Sequence, residues 1–310
     1  MRSKRLSKWI GTLFALVVLG GCGTSPTLGQ PEEPLPSPSP SPRPAHLRFF
    51  TMGDWGSATD NQKQVALALG SFCAGSGCDF GLLLGDNFYP SGVSSVADPQ
   101  WQNTFEMIYS DPALQIPFYA VLGNHDHDGN PQAEIDYSPT QNRWRMPAAE
   151  YQVDFPAGSQ SPLLTIFVID SGYGEARDAS QVAALVQTID ASNSTWKILA
   201  LHHPLYSNGL HGDTVALRDS LLPALCHKVD LVLSGHDHIF SHLQDSNGCG
   251  LQQWVVGTGG MGLYTTNPDP RALYSESSFG FASLTVDENS LTLVFHRSDG
   301  SSADAFTLSK

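Results

Sequence analysis

The stretch Phe80-Gly81-Leu82-Leu83-Leu84-Gly85-Asp86-Asn87-Phe88-Tyr89 joins an apolar run of strand length to a carboxylate and a phenol through one glycine. A short run of this kind, closed by Gly, reads as a buried strand followed by a sharp turn. The same arrangement recurs along the chain. Leu47 to Met52 leads into Gly53-Asp54-Trp55-Gly56, and Phe118 to Leu122 into Gly123-Asn124-His125-Asp126. Trp196 to Leu201 leads into His202-His203-Pro204, and Leu231 to Leu233 into Gly235-His236-Asp237-His238. Leu163 to Ile169 is a sixth strand-like run. Helical spacing separates several of them: Val65, Leu69 and Phe72, then residues 178–190 (Val182, Leu185, Val186, Ile189), then 214–225. After residue 250, Gln252–Val256, Phe281–Val286 and Leu291–Phe295 look like strands without helices between them. Alternating β and α with a β-rich tail predicts an α/β fold, a four-layer α/β/β/α sandwich with two sheets inside and helices outside. It occupies residues 46–310 as one domain, with no internal repeat.

Each polar cluster follows a strand, and in α/β sheets sites gather beyond the carboxyl ends of the strands. Five clusters distant in sequence can therefore meet in one crevice. Glycine before Asp86, Asn124 and His236 lets the chain turn and approach a ligand closely. Any one cluster alone is an ordinary turn or a surface histidine pair. Together they supply carboxylates, an amide oxygen, imidazoles and a phenol, enough for two metal ions sharing a bridging ligand. Asp86, central in the series, is the natural bridge. Nine of the eleven histidines lie within 125–127 or 202–242, a focus that scattered surface histidines would not show. Carboxylate and imidazole suit many divalent ions, whereas the phenolate of Tyr89 favours a hard, highly charged ion such as Fe(III). Two metals about 3.5–4 Å apart clamp an in-line displacement at phosphorus and generate hydroxide from bound water. A histidine able to protonate the leaving alkoxide completes such a site.

Other chemistries are less well supplied. Asp170-Ser171-Gly172 lacks the Gly-x-Ser-x-Gly elbow of serine hydrolases. Gly257-Thr258-Gly259-Gly260 has no Lys and is no phosphate-cradling Walker loop, so it reads as a loop at the site rim. Trp55, Phe88 and Tyr264 fit either the pocket mouth or the core.

The chain has 310 residues, 41% of them apolar, with 29 Gly and 21 Pro. Residues 1–21 read as an export leader: Arg2, Lys4, Arg5 and Lys8 precede a short apolar run from Trp9 to Leu19. Leu19-Gly20-Gly21-Cys22 resembles the lipobox of bacterial lipoproteins, in which the cysteine carries the lipid. Behind it, 22–45 is a Pro/Ser-rich tether with prolines at 26, 31, 34, 36, 38, 40, 42 and 44. At about 3.1 Å per residue in polyproline II it spans up to roughly 70 Å. The expectation is export and a lipid anchor in a bacterial membrane, facing periplasm or exterior. Without the four basic leader residues, 12 Lys+Arg face 30 Asp+Glu, a formal charge of −18. Such a body is repelled by nucleic-acid backbones, so no nucleic-acid partner is expected. Cys73, Cys78, Cys226 and Cys249 form an even set in an exported chain, and local pairing, 73–78 and 226–249, is expected among three connectivities.

From residue 47 to about 300 these runs resemble the purple acid phosphatases of the calcineurin-like metallophosphoesterases, especially the small tartrate-resistant type. The resemblance implies that Asp54, Asp86, Tyr89 and His238 hold Fe(III), and that Asp86 bridges to a second ion held also by Asn124, His202 and His236. That second ion is Fe(II), Zn(II) or Mn(II), for which these donors are alike suited. His125 matches a histidine that contacts the phosphate or leaving group, and His211 one that binds substrate or donates the proton. Asn142-Arg143-Trp144-Arg145-Met146-Pro147 and Trp196-Lys197 look like the family's landmarks outside the ligand set. The implied activity is hydrolysis of phosphomonoesters, small molecules or phosphoproteins, by metal-bound hydroxide; a phosphodiesterase or nucleotidase, or a non-catalytic binding protein, are the alternatives. The chain departs from the small mammalian-type pattern at His203, where tyrosine is usual, at Leu201, where glycine is usual, and in its leader and tether. His127, His203 and His242 carry no family role and read as hydrogen-bonded supporting residues.

Overall fold

The computed structural model describes residues 46–244 and 249–310; the expected leader at 1–21 and tether at 22–45 lie outside the described residues. Among the described residues, no helix is long and apolar enough to cross a membrane. The chain opens with strands β1 (Leu47–Met52), β2 (Phe80–Leu83), β3 (Phe118–Ala120) and β4 (Trp144–Arg145). It continues with β5 (Tyr151–Phe155), β6 (Leu164–Val168), β7 (Trp196–Ala200), β8 (Leu231–Ser234), β9 (Phe240–Gln244), β10 (Gln252–Val256) and β11 (Ala272–Glu276). The last three are β12 (Gly280–Val286), β13 (Ser290–Arg297) and β14 (Ser302–Ser309). One sheet has the order β14-β13-β12-β1-β2-β3-β4 and the other β11-β9-β10-β8-β7-β6-β5.

In the first sheet β1 to β4 are parallel, and Phe49 pairs with Phe80 as Gly81 pairs with Phe118. The carboxyl ends of β1, β2 and β3 are therefore nearly level, and Asp54, Asp86 and Asn124 leave the sheet side by side. In the second sheet β7 and β8 are parallel with Ala200 opposite Leu233, which brings His202 and His236 out together. Strands β2, β6, β8 and β10 are buried along their whole length, as mainly apolar runs flanked on both faces require, and β10 buries Gln252 and Gln253 as well.

Three apolar layers hold the four-layer sandwich. Between the sheets lie Phe49, Leu82, Ile166, Ile198, Leu233 and Leu284, all fully buried. Outside the first sheet, helix α1 (Asp60–Ser76) buries Val65, Leu69 and Cys73 against Phe50, Phe118 and Trp144. Two short helices, α2 (Asn124–His127) and α3 (Pro131–Tyr137), lie along the chain between β3 and β4. Outside the second sheet, α4 (Ala179–Ala191) and α5 (Val215–Leu225) bury Leu185, Ile189, Leu217 and Leu221 against Phe167, Leu199 and Val232. The helix starts are chemically marked: Thr59 caps α1, and Asp178 with Gln181 forms a capping box on α4.

The observed strands β4, β5, β9, β11 and β14 have no counterpart among the expected runs. β9 begins two residues after His238 and is polar inside, with Ser241 and His242 buried because Asn208 Oδ1 and Gln252 Oε1 accept their hydrogen bonds there. β14 alternates exposed and half-buried residues on the sheet edge, and β4 is two residues long. Both expected disulfides are formed, Cys73–Cys78 and Cys226–Cys249. They close sequence separations of 5 and 23 residues. Cross-linking restricts the unfolded chain more for the longer loop. Replacing Cys226 and Cys249 by Ser should cost about 3 kcal/mol, against about 2 kcal/mol for Cys73 and Cys78, as read from denaturant unfolding; equal losses would contradict this ordering.

Candidate metal centre

Three of the seven residues expected to hold metal stand in left-handed backbone: Asp54 (φ 57°), Asp86 (φ 51°) and His236 (φ 71°). Non-glycine residues rarely adopt it, and such strain persists where the surroundings impose it. Here the chain leaves each strand and turns back at once, so that the side chain points across the strand ends. Gly123 permits the tightest of these approaches, since a Cβ there would lie 2.3 Å from both the backbone N and Oδ1 of Asp86.

The side chains converge in two sets. In the first, the Tyr89 hydroxyl lies 2.7 Å from Asp86 Oδ2, 3.2 Å from Asp54 Oδ1 and 3.4 Å from His238 Nε2. His238 Nε2 is also 3.4 Å from Asp54 Oδ1. In the second, Asn124 Oδ1 lies 3.1 Å from both His202 Nε2 and His236 Nδ1, and His202 Nε2 is 3.3 Å from Asp86 Oδ1. Asp86 thus turns one carboxylate oxygen to each set. Donors bonded at about 2.1 Å around a six-coordinate ion are separated by about 3 Å along the polyhedron edges, which is the spacing found here. Asp54, Asp86 and His202 each offer a ligand atom within 4.8 Å of the others, and all three are buried. The donors present fit a dinuclear centre.

Hydrogen bonds behind the ligand atoms fix their orientation. His202 Nδ1 donates to Leu84 O (2.8 Å) and His238 Nδ1 to Gly262 O (2.6 Å), which leaves each Nε2 lone pair facing the cluster. The backbone N–H of His236 donates to Asp54 Oδ2 (2.8 Å), and that of His125 to Asp86 Oδ1 (3.0 Å). Burial works against the Asp86 carboxylate, but His202 and Tyr89 outweigh it and hold its pKa well below the usual range. Burial likewise opposes charge on His202, yet the Asp86 carboxylate pushes it up to about 10. Burial, then the charges of Asp54 and Asp86, raise the Tyr89 phenol. Burial and the neighbouring His202 depress His236. These shifts have one cause in common, negative charge gathered in a buried space that favours a positive partner.

Asp126 and Asn87 lie beneath the ligands. The fully buried Asp126 carboxylate accepts from Gly123 N (2.8 Å), Asn87 N (2.9 Å), Phe88 N (3.3 Å) and Asn87 Nδ2 (3.1 Å). It thereby ties the loop carrying Asp86 and Tyr89 to the loop carrying Asn124. Asn87 Nδ2 also donates to Glu134 Oε2 (3.0 Å). Glu134 is fully buried; burial, then the charge of Asp126, lift its pKa well above the usual range. Sequence reasoning missed this support. Its trace was the three-residue spacing from Gly123 to Asp126, across which the Asp126 carboxylate accepts the Gly123 N–H at the start of α2.

The remaining candidates divide clearly. His125 is half-buried, its ring 4.5 Å from that of Tyr89 and its Nδ1 donating to Pro90 O (2.7 Å). His211 is exposed, its ring 4.5 Å from that of His236. The two histidines thus stand over different donor sets. Tyr264 is at the site, stacked on His238 at 4.1 Å, whereas Trp55 and Phe88 are fully buried core residues. Gly257 to Gly260 are buried under the site and not at its rim: Gly259 N donates to Gly53 O, and a Cβ on Gly257 would meet Asp54 Oδ2 at 2.8 Å. Ser171 is buried and bonded to His203 Nδ1 (2.9 Å), His127 Nε2 pairs with Asp170 (2.9 Å), and His242 lies in β9 on Gln252 (2.7 Å). All three histidines are hydrogen-bonded, as expected.

A two-sheet sandwich with paired donor sets at its strand ends is the architecture of the metallophosphoesterases. Residues 47–240 match the family model described as calcineurin-like phosphoesterase, and residues 253–305 match the one described as iron/zinc purple acid phosphatase-like protein C. The chain is 36% identical to tartrate-resistant acid phosphatase type 5 of Sus scrofa over 76% of its own length and 74% of that protein's. It is 34% identical to purple acid phosphatase 3 of Arabidopsis thaliana over 80% and 74% of the two chains. Among solved structures, GAP50, titled the anchor in the inner membrane complex of Plasmodium, superposes with a TM-score of 0.76 at 25% identity, covering 86% of this chain and 89% of that one. The yellow lupin purple acid phosphatase PPD1 shares the fold, with a TM-score of 0.70 at 20% identity over 88% and 55% of the two chains. The chain belongs to the purple acid phosphatases of the calcineurin-like phosphoesterase family, dinuclear-metal hydrolases.

The raised pKa of Glu134 generates a prediction. A carboxyl whose folded pKa is raised above its ordinary 4.5 contributes stability that is complete below that value and is lost as pH rises toward the folded pKa. Glu134→Gln keeps the shape without the proton. Its melting temperature should therefore gain on that of the parent as pH rises from 4.5, and parallel pH profiles would show that Glu134 is not held neutral.

Proposed function

We propose that this chain is an exported, lipid-anchored phosphomonoesterase in which Asp54, Asp86, Tyr89 and His238 hold Fe(III), and Asp86, Asn124, His202 and His236 hold Fe(II), Zn(II) or Mn(II). The observation that carries the assignment is the division of the Asp86 carboxylate, with Oδ2 at 2.7 Å from the Tyr89 hydroxyl and Oδ1 at 3.3 Å from His202 Nε2. A phenol in one donor set only makes the two positions chemically unequal. The harder, more highly charged ion belongs beside Tyr89. When bound, such a pair supplies Lewis acidity toward phosphate oxygens and an activated water.

The chain's own residues then do the following. Asp54 and Asp86 bring negative charge to the ions, and Leu84 O and Gly262 O hold the imidazoles of His202 and His238 in the metal-facing tautomer. His125, with its Nδ1 proton on Pro90 O, presents Nε2 to a phosphate oxygen or leaving group. His211, exposed above His236, gives its proton to the leaving oxygen as the P–O bond to the alcohol breaks. The substrates are small phosphomonoesters or phosphoproteins, and the acidic body disfavours nucleic acid. Leu19-Gly20-Gly21-Cys22 and the proline-rich stretch behind it support an anchor at Cys22. The likeness to GAP50, titled an anchor, favours one other reading, a non-catalytic surface protein; zero turnover in metal-replete protein would establish that reading in place of ours.

Elemental analysis of the purified protein should give two metal ions per chain with at least one iron, and a visible absorption band that Tyr89→Phe abolishes. A fully active, iron-free, colourless protein would remove Tyr89 from the ligand set. Asp86→Ala and His236→Ala should each abolish hydrolysis of a chromogenic phosphomonoester, while His211→Ala lowers it about 10²-fold with both ions retained. Monoester rates should exceed diester rates. Cys22→Ser should release the protein from the membrane fraction.

A further inference from the structure

We infer that Asp237, which lies between the two histidines of Gly235-His236-Asp237-His238, is a positioning residue for His211 and keeps its imidazole in register with the metal-binding strand end. Asp237 has no place among the seven donors. It is fully buried, and its carboxylate is turned away from the donor sets into the loop that follows β7. Oδ1 accepts the backbone N–H of His211 at 2.9 Å, and Oδ2 accepts the Ser207 hydroxyl. Ser207 Oγ in turn accepts Gly209 N at 3.0 Å. One carboxylate thus holds both ends of the five-residue span 207–211. Gly209 permits the contact, because a Cβ there would lie 2.5 Å from Asp237 Cγ.

The far side of the same loop is held independently. Asp213 accepts Ser207 N at 3.0 Å and takes the guanidinium of Arg271 on both oxygens, at 2.8 and 2.9 Å. Asn267 Nδ2 donates to Gly209 O at 3.0 Å. An exposed histidine on a long loop would ordinarily sample many positions, and proton transfer in a transition state needs it within hydrogen-bond reach of one oxygen. The fixed loop meets that need. The choice of Asp237 matters because its neighbours His236 and His238 lie in different donor sets, so the His211 backbone is referenced to both.

This inference rests on His211 as the donor of the leaving-group proton, and the test separates the two. The metal-loaded enzyme is assayed with an alkyl phosphate, whose leaving oxygen needs a proton, and with 2,4-dinitrophenyl phosphate, whose leaving group does not. His211→Ala should lower kcat/KM about 10²-fold on the alkyl ester and far less on the dinitrophenyl ester. Asp237→Ala should show the same bias, at least about tenfold on the alkyl ester, with both ions retained by elemental analysis. Asp237→Asn, which keeps an acceptor oxygen for His211 N, should recover most of the loss. The double variant should be no worse than His211→Ala alone, since residues acting as one unit are not additive. If Asp237→Ala fails to fold or to hold metal, Gly209→Ala, whose Cβ presses on the Asp237 carboxylate from the loop side while the ligand segment keeps its own residues, should show the same bias. Equal losses of Asp237→Ala or Gly209→Ala on the two esters, or additive losses in the double variant, would overturn the positioning role. Absence of bias in His211→Ala would overturn the proton-donor reading, and the inference with it.

Discussion

The site depends on one carboxylate facing two ways. Asp86 leaves the end of β2 in the first sheet, yet it must meet Tyr89 on one side and the His202 imidazole of the second sheet on the other. That is possible only if the two sheets are locked together at the strand ends. Hydrogen bonds across the seam do this: His202 Nδ1 to Leu84 O, His236 N to Asp54 Oδ2, and Gly53 N to Val256 O at 2.7 Å. The left-handed backbone at Asp54, Asp86 and His236 is the local consequence, since a relaxed turn would carry these side chains away from the seam.

Charge explains why so much polar structure is buried beneath. Two carboxylates, a phenol and three imidazoles share a space from which water is largely excluded, inside a protein whose formal charge is already −14. Such a group is costly unless every member is hydrogen-bonded and positive charge is present. The Asp126 carboxylate is met by four N–H groups, and Glu134, its pKa raised by burial and by Asp126, accepts from Asn87 Nδ2. Asp237 applies the same device one layer outward, spending a buried carboxylate on the loop of His211. Buried acids therefore serve twice here as struts between loops, in addition to those that face the metal centre.

Most of the architecture was legible because its central strands are predominantly apolar. β1, β2, β6, β7, β8 and β10 are covered on both sides, so their runs stand out from the surrounding helices and loops. The strands that escaped notice are those whose composition does not announce burial. β9 hides Ser241 and His242 inside the second sheet through hydrogen bonds to residues far along the chain, which no local pattern encodes. Trp55 and Tyr264 show the same limit in the site. Both are aromatic residues near a glycine-rich turn, and only packing sends Trp55 into the core beside Phe88 and Tyr264 onto the face of His238.

The sequence by itself determined the order of the apolar strands and of the three long helices and the chemical inventory of the site, and it favoured the two local disulfides among three pairings. These follow from residue type and short spacing, which are properties of the chain. Tertiary structure alone decided that Asp86 would address two donor sets, that Glu134 would be buried against Asn87 beneath them and that Asp237 would face a loop and not the cluster. Each of these depends on which atoms approach within about 3 Å across elements distant in the chain, and on the loss of solvent around them, neither of which a linear pattern contains.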